Sequence, residues 1–394
     1  MQGVYILSAV RTAIGKFGGS LLSQTAADMG VVAAKAAMER AGVEPGQVEE
    51  TIFGNARQAG GGPNVARQIS VRSGVPQEVP AYTVNQACAS GMKTIVLGYQ
   101  EILHGNMECV LAGGTESMSR LPYYLEGARW GYRLGNSELV DGMYRDGFFC
   151  PMAKMVMGET AEILAQQYKI GREEQDQYAL CSQQRAERAI NSGRFDDEIV
   201  PVVMESKKGA TTFAKDEHPF LGASLEKMAK LPPAFDKKTG TITAGNASGI
   251  TDGAAAVVVA GEAFVKQHNL KPLARILGAT SVGVDPKTMG IGPVPAVRKL
   301  EKQTGLKLEQ FDVVELNEAF AAQVLACDRE LHFDHTKLNV NGGAVALGHP
   351  IGCTGTRITV TLLHEMMKRK AQRGLATLCV SGGMGMALAL ERVE

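Results

Sequence analysis

A duplicated α/β unit, with a mixed, helix-covered sheet in each copy, is the architecture this sequence predicts, and three observations carry it. The apolar run Val4-Tyr5-Ile6-Leu7-Ser8-Ala9 recurs as Ala274-Arg275-Ile276-Leu277-Gly278-Ala279, 270 residues further on. Gly42-Val43-Glu44 leads to Phe53-Gly54-Asn55-Ala56 as Gly305-Leu306-Lys307 leads to Leu316-Asn317-Glu318-Ala319, at the nearly equal offset of 263. Between 119 and 249 the texture changes to aromatics, Met and charges, which marks an insertion. The chain then divides into a first half (1–118 plus 250–271), an inserted domain (119–249) and a second half (272–394).

In chain order, Val4 to Ala9 reads as a strand, and the stretch from Thr25 to Ala41 has helical spacing with a Gly42 stop. Thr51-Ile52-Phe53 is strand-like, and Ser90-Gly91-Met92-Lys93-Thr94-Ile95-Val96-Leu97 reads as a helix beginning at Ser90. Glu108 to Gly114 and Ala376 to Gly383 are apolar strands that run into small residues, one in each half. Alternation of strands with helices of this length produces helix-covered sheets. In the insertion a helical stretch runs from Thr160 to Asn191. Its Arg172-Glu173-Glu174-Gln175-Asp176 start places acids in a first turn, favourable to the helix dipole, and reads as a solvated face.

Composition narrows the function. A chain of 394 residues with 45% hydrophobic content buries a large core. Forty-one basic side chains balance forty-one acidic ones, so no net field draws a nucleic acid or an anionic membrane. Seven irregularly spaced cysteines without a Cys-x-x-Cys argue against a disulfide framework or a zinc ribbon and fit a reducing cytosol. The start enters a strand-like run at once, so neither a signal nor a transit peptide is expected. No apolar run reaches the length of a membrane span.

Chemistry concentrates at three points. Cys88 stands in Gln86-Ala87-Cys88-Ala89-Ser90-Gly91, where small neighbours leave the thiol unshielded before a helix N-terminus that would lower its pKa. Judged alone, a small core cysteine is the commoner fate. His349 shifts the balance: it sits among Gly342, Gly343, Gly348 and Gly352, in a loop that lets backbone approach a ligand and suits a base for a thiol. Cys379 ends an apolar strand before Ser381-Gly382-Gly383, whose N–H groups are of the kind an oxyanion hole needs. Asn317 closes another strand, with an amide able to hold a water or a carbonyl oxygen, or simply to form a turn.

The segments Asn85-Gln86-Ala87-Cys88-Ala89-Ser90-Gly91, Asn317-Glu318-Ala319-Phe320, Gly348-His349-Pro350 and Cys379-Val380-Ser381-Gly382-Gly383 together resemble the thiolase family, in the family's order and across essentially the whole chain. The resemblance implies two pseudo-equivalent βαβαβαββ halves in a five-layered αβαβα core, with the insertion binding coenzyme A and helping form a homotetramer. It implies Cys88 as acylated nucleophile, His349 as its base, Cys379 as second acid/base, Asn317 as holder of a water, and the N–H groups of Cys88 and Ser381 as an oxyanion pair. Met157 and Met289 would bound the acyl pocket. Leu231, Phe235, Ala244, Ala247 and Ser248 would line a pantetheine tunnel, with Ala319 and Phe320 completing the set. The implied reaction is reversible condensation of two acetyl-CoA to acetoacetyl-CoA in the cytoplasm, with coenzyme A thioesters as substrates and neither a separate cofactor nor a metal. A broader 3-ketoacyl-CoA thiolase is the alternative, and a non-catalytic acyl-CoA binder a weaker one.

Three positions depart from the family's pattern. Phe220 replaces an Arg near the nucleotide, Ser381 replaces a Gly and restricts the backbone, and Val156 replaces a His and makes the pocket wall more apolar. Elsewhere, His332-Phe333-Asp334-His335 reads as a polar surface turn rather than a metal site. Ala59-Gly60-Gly61-Gly62-Pro63 lacks the spacing of a dinucleotide loop.

Overall fold

A computed structural model of the protein describes residues 3–206 and 209–393. The first half runs β1 (Val4–Thr12), α1 (Ala26–Ala41), β2 (Glu50–Gly54), α2 (Val65–Arg72), β3 (Ala81–Val84), α3 (Ser90–Leu103) and β4 (Cys109–Ser117). The inserted segment contributes α4 (Met157–Gln167) and α5 (Arg172–Asn191), after which β5 (Thr251–Gly261) rejoins the first half. The second half runs β6 (Ala274–Gly283), α6 (Pro293–Thr304), β7 (Val313–Leu316), α7 (Ala321–Leu331), α8 (Ile351–Arg369), β8 (Arg373–Val380) and β9 (Met384–Arg392).

The strands lie in the order β7-β8-β9-β6-β1-β5-β4-β2-β3. The sheet of each half is therefore not separate, as the sequence led us to expect. The two join through a short antiparallel contact of β1 with β6, Tyr5 opposite Arg275 and Ile6 opposite Ala274. The duplication is visible down to single residues. The register slips between Ile6 and Ser8 where β1 meets β5, and again between Ile276 and Gly278 where β6 meets β9. In the second half the third strand shrinks to one bridge, Val314 to Leu338.

Side-chain alternation builds the layers. On β1, Val4, Ile6 and Ala9 face a core shared with α3 and α8, while Leu7 and Val10 face the outer layer of α1 and α2. On the far side Leu375, Ala387 and Ala389 pack under α6 and α7. Helix, sheet, central helix pair, sheet and helix make the expected five layers. α3 and α8 meet almost backbone to backbone. A Cβ on Gly91 would lie 2.5 Å from Thr356 Oγ1, and one on Gly355 2.3 Å from the Met92 nitrogen.

The inserted segment is tied to this core by charge. Arg11 of β1 is fully buried, with Nη1 and Nη2 donating to Asp216 at 2.7 and 2.9 Å and Nε to Glu198 at 2.6 Å. Burial disfavours the guanidinium charge, but the two carboxylates overcompensate and hold it firmly protonated. Glu198 also accepts from Thr361 of α8, and Asp216 from the Ile14 N–H.

Two expectations are corrected here. The helix expected over 160–191 breaks at 168–171, where Lys169 takes a left-handed φ of 55°. The start of α5 is not a solvated face: Gln175 and Asp176 are buried, and Asp176 accepts from Arg172 Nε at 2.7 Å and Asn246 Nδ2 at 2.9 Å. Among the described residues no helix is long and apolar enough to cross a membrane. Asp216→Ala should leave Arg11 under-compensated in the core and cost about 3–5 kcal/mol in denaturant unfolding; a loss below about 1 kcal/mol would mean that Glu198 alone suffices.

Candidate active site

One cavity of about 320 Å³ brings the sequence-derived residues together: Cys88, His349, Cys379 and Ser381 all line it. Cys88 sits in a single turn, Ala87–Ala89, directly before α3. That turn is held by its own sequence. Asn85 Oδ1 accepts from the Ala87 N–H at 3.0 Å, while Ser90 Oγ accepts from the Gln86 N–H and donates to the Ala87 carbonyl. These bonds keep Ala87 at a φ of 45°, a conformation few non-glycine residues adopt.

The expected lowering of the Cys88 pKa is not what the geometry produces. Burial pushes the thiol up, and the Ser381 N–H, the Arg57 charge and the residue's own N–H pull it back without overcoming that. The resting sulfur is thus a thiol that needs a base. It also has the Ser381 and Cys88 N–H groups directed at it, the two donors named for an oxyanion hole.

His349 presents the lone pair such a base requires. Its Nδ1 lies 2.6 Å from Thr354 Oγ1, whose single proton is given to the Pro350 carbonyl. Thr354 must therefore accept, so the ring proton is on Nδ1 and Nε2 keeps a bare lone pair. Among the described residues Nε2 is buried with no protein partner. Burial, with the Arg357 and Arg57 charges adding, lowers the imidazole pKa to about 3 and keeps the ring neutral.

The glycines around His349 serve a different purpose from the one expected. They make room for protein rather than ligand. A Cβ on Gly348 would lie 2.3 Å from Thr251 Cγ2, and one on Gly352 2.7 Å from the Ala56 nitrogen. Two buried carboxylates hold the ends of the segment. Glu318 accepts from the Val345 N–H at 3.1 Å and from Tyr178 and Ser182 hydroxyls. Glu116 accepts from the Gly352 N–H at 2.7 Å and from Asn55, Ala56 and Arg57.

Cys379 is fully buried at the end of β8, its thiol pushed well above the ordinary value by burial and by the neighbouring Cys88 sulfur. Asn317 follows β7 and donates its N–H to the Thr377 carbonyl, two residues before Cys379. The residue is 1% exposed, and among the described residues neither polar atom of its side-chain amide has a protein partner, an arrangement that is costly unless it serves a ligand or water.

Met157, Phe235, Ala247 and Ser248 form one flank of the cavity, joined by Met289, Ala319 and Phe320. Leu231 and Ala244 do not line it; Leu231 packs on Gly245, and Ala244 is exposed. Val156 also stands outside the lining, so its apolar character does not reshape the wall directly. Ser381 keeps a negative φ, because Gly382 and Gly383 take the left-handed conformations at 87° and 84°; the serine carries no backbone penalty. Phe220 is 54% exposed with Lys227 Nζ 5.3 Å from its ring centre, so a cation remains near the departed arginine's place. His335 faces Asp328 at 2.9 Å. Thr354, Glu116, Glu318 and Arg57 went unread in the sequence, since only tertiary contact reveals their roles.

Two family models match the chain in succession: "Thiolase, N-terminal domain" over residues 4–263 and "Thiolase, C-terminal domain" over residues 270–392. The chain belongs to the thiolase family. An acetyl-CoA acetyltransferase of Cupriavidus necator is 51% identical to this thiolase over 393 residues, covering 100% of both chains. The solved acetyl-CoA acetyltransferase of Syntrophomonas wolfei superposes with a TM-score of 0.98 at 46% identity, over 100% of both chains. Human mitochondrial 3-ketoacyl-CoA thiolase, solved in complex with CoA, follows at 0.95 and 45%, over 100% of this chain and 98% of that one.

The electrostatics of this thiolase predict how Cys88 titrates. Iodoacetamide labelling of Cys88 should accelerate with pH through a midpoint above that of a free thiol, about 8.5. A midpoint below it would mean that the helix end and Arg57 outweigh burial.

Proposed function

We propose that this thiolase condenses two acetyl-CoA to acetoacetyl-CoA and CoA, reversibly, through an acetyl-cysteine. The observation that carries this is the convergence of two cysteines and a bare imidazole nitrogen on one cavity. Full-length similarity to proteins named acetyl-CoA acetyltransferase supports the substrate. A wider range of 3-ketoacyl chains is the competing reading, supported by the likeness to the human enzyme.

In the first half-reaction Cys88 Sγ attacks the thioester carbonyl while its proton passes to His349 Nε2. The N–H groups of Cys88 and Ser381 stabilise the oxyanion, and the C–S bond to coenzyme A breaks. The leaving thiolate takes the Cys379 proton, a transfer that the raised Cys379 pKa leaves to the catalytic moment. In the second, the Cys379 thiolate removes a methyl proton from another acetyl-CoA. Protonated His349 and a water on the Asn317 amide stabilise the enolate oxygen, the enolate carbon displaces Cys88 from its acetyl group, and the departing Cys88 thiolate takes its proton back from His349. All charges but the transient ones cancel, as a buried site requires.

The inserted domain, 119–249, would hold coenzyme A, with Ser248 on the pantetheine, Leu231 and Ala244 further along its path, and Phe220 stacking near the nucleotide beside Lys227. Trp130 and Leu134, 88% and 97% exposed, suit burial in a homotetramer. A cytoplasmic location fits the seven free cysteines.

Brief incubation with acetyl-CoA followed by mass spectrometry should add one acetyl group, mapped to Cys88 and missing in Cys88→Ala. An unlabelled protein that still binds acyl-CoA would overturn the catalytic reading. Asn317→Ala should lower kcat by about a hundredfold or more, the cost typical of losing an oxyanion donor of about 3 kcal/mol, while acetylation of Cys88 persists.

A further inference from the structure

We infer that Arg57 sets the acyl chain length that this thiolase accepts, by walling the catalytic cavity off from a second pocket. The inference rests on the thiolase reading and names a specificity residue within it. The catalytic cavity has two flanks. Phe235, Ala247 and Ser248 line it from the end of the inserted segment, and Arg57, Met118, Gly147 and Phe148 from the first half and the start of that segment. A pocket of about 250 Å³ adjoins, lined by Ala56, Gln58, Asn85, Leu121, Tyr124 and Asp146 among others. Arg57 is the one residue that lines both.

The partition is fastened on each side. Arg57 Nη2 donates to the Gly147 carbonyl at 2.6 Å and Nη1 to the Ala56 carbonyl at 3.4 Å, while its backbone N–H donates to Glu116 at 3.0 Å. Among the described residues the guanidinium forms no ion pair, and its Nε is buried without a protein partner. Among the described residues Arg57 is the only Arg, Lys, Asp or Glu in the cavity lining, and the rest of that wall is largely apolar. An alkyl chain growing toward it would meet a fixed, partly desolvated charge, a contact that gains nothing from apolar burial and strips the guanidinium of polar surroundings. Short acyl groups stop before it. Removing the side chain would connect the two volumes and give longer chains somewhere to lie.

The test compares kcat/KM for acetoacetyl-CoA and 3-ketodecanoyl-CoA in the full-length parent, Arg57→Ala and Arg57→Met. The long-to-short ratio should rise about tenfold or more in Arg57→Ala and by clearly less in Arg57→Met, which keeps the bulk and loses the charge and its fastening. An unchanged ratio in Arg57→Ala overturns the inference. A rise in Arg57→Met equal to that in Arg57→Ala also overturns it, since the charge and its fastening, and not the wall, would then set the limit. Arg57→Ser replaces the alanine protein should that fail to fold. A parent unable to cleave acetoacetyl-CoA would defeat the functional reading itself, a separate outcome from either of these.

Discussion

Everything at the site depends on how closely α3 and α8 approach. The segment carrying Cys88 ends where α3 begins, and His349 lies two residues before α8. The crossing of these helices at Gly91 and Gly355 brings Cys88 from one half of the chain to His349 from the other. No side chain fits between them at that point, so the distance between thiol and imidazole is set by backbone contact and not by flexible side chains. The buried carboxylate of Glu116 then links the Ala56 and Arg57 N–H groups to that of Gly352, across the same junction. A bonded carboxylate there costs less than the four orphaned donors it satisfies.

Burial decides the resting state of the reacting groups. It raises both thiols and lowers the imidazole, so the free site holds neutral groups that exchange a proton only when substrate arrives. Helix-end stabilisation, worth typically 0.3–1 kcal/mol at exposed sites, is smaller than the desolvation of a fully enclosed thiolate. That comparison explains why a sequence argument from the helix N-terminus alone gives the wrong sign for Cys88.

The duplication, the α/β class, the helix start at Ser90 and the convergence of Cys88, His349, Cys379 and Ser381 were legible because each leaves a local trace: a repeat, a stop, a small-residue motif. The union of the two sheets was not, since two opposed residue pairs, Tyr5 with Arg275 and Ile6 with Ala274, carry no periodic signal. Nor was the burial of Asp176, because an acid in a first helical turn looks the same whether it meets water or Asn246. Thr354 escaped for a related reason. Its importance lies in where its one proton goes, and that is settled by the Pro350 carbonyl four residues earlier on the first turn of α8.

The two halves are alike in backbone and unlike in chemistry, and the registers show where they diverge. Equivalent bulges align Val258 with Ala389, which places Thr115, opposite Ala254, in the position that Cys379 holds opposite Gly385. Thr115 spends its hydroxyl on the Ala26 carbonyl of α1 and takes no part in the cavity. Gly54 stands where Asn317 stands in the second half, and a Cβ there would lie 2.5 Å from the Ser90 carbonyl carbon. The first half thus gives up a polar side chain at the end of β2 so that the nucleophile's turn can sit against it. The second half keeps its amide at the end of β7, unpartnered and aimed at no protein group. A symmetric pair of halves would supply either two cysteine turns or two such amides; this chain has one of each, and carbon–carbon bond formation from two thioesters likewise treats its acyl groups unequally, one being held while the other is ionised.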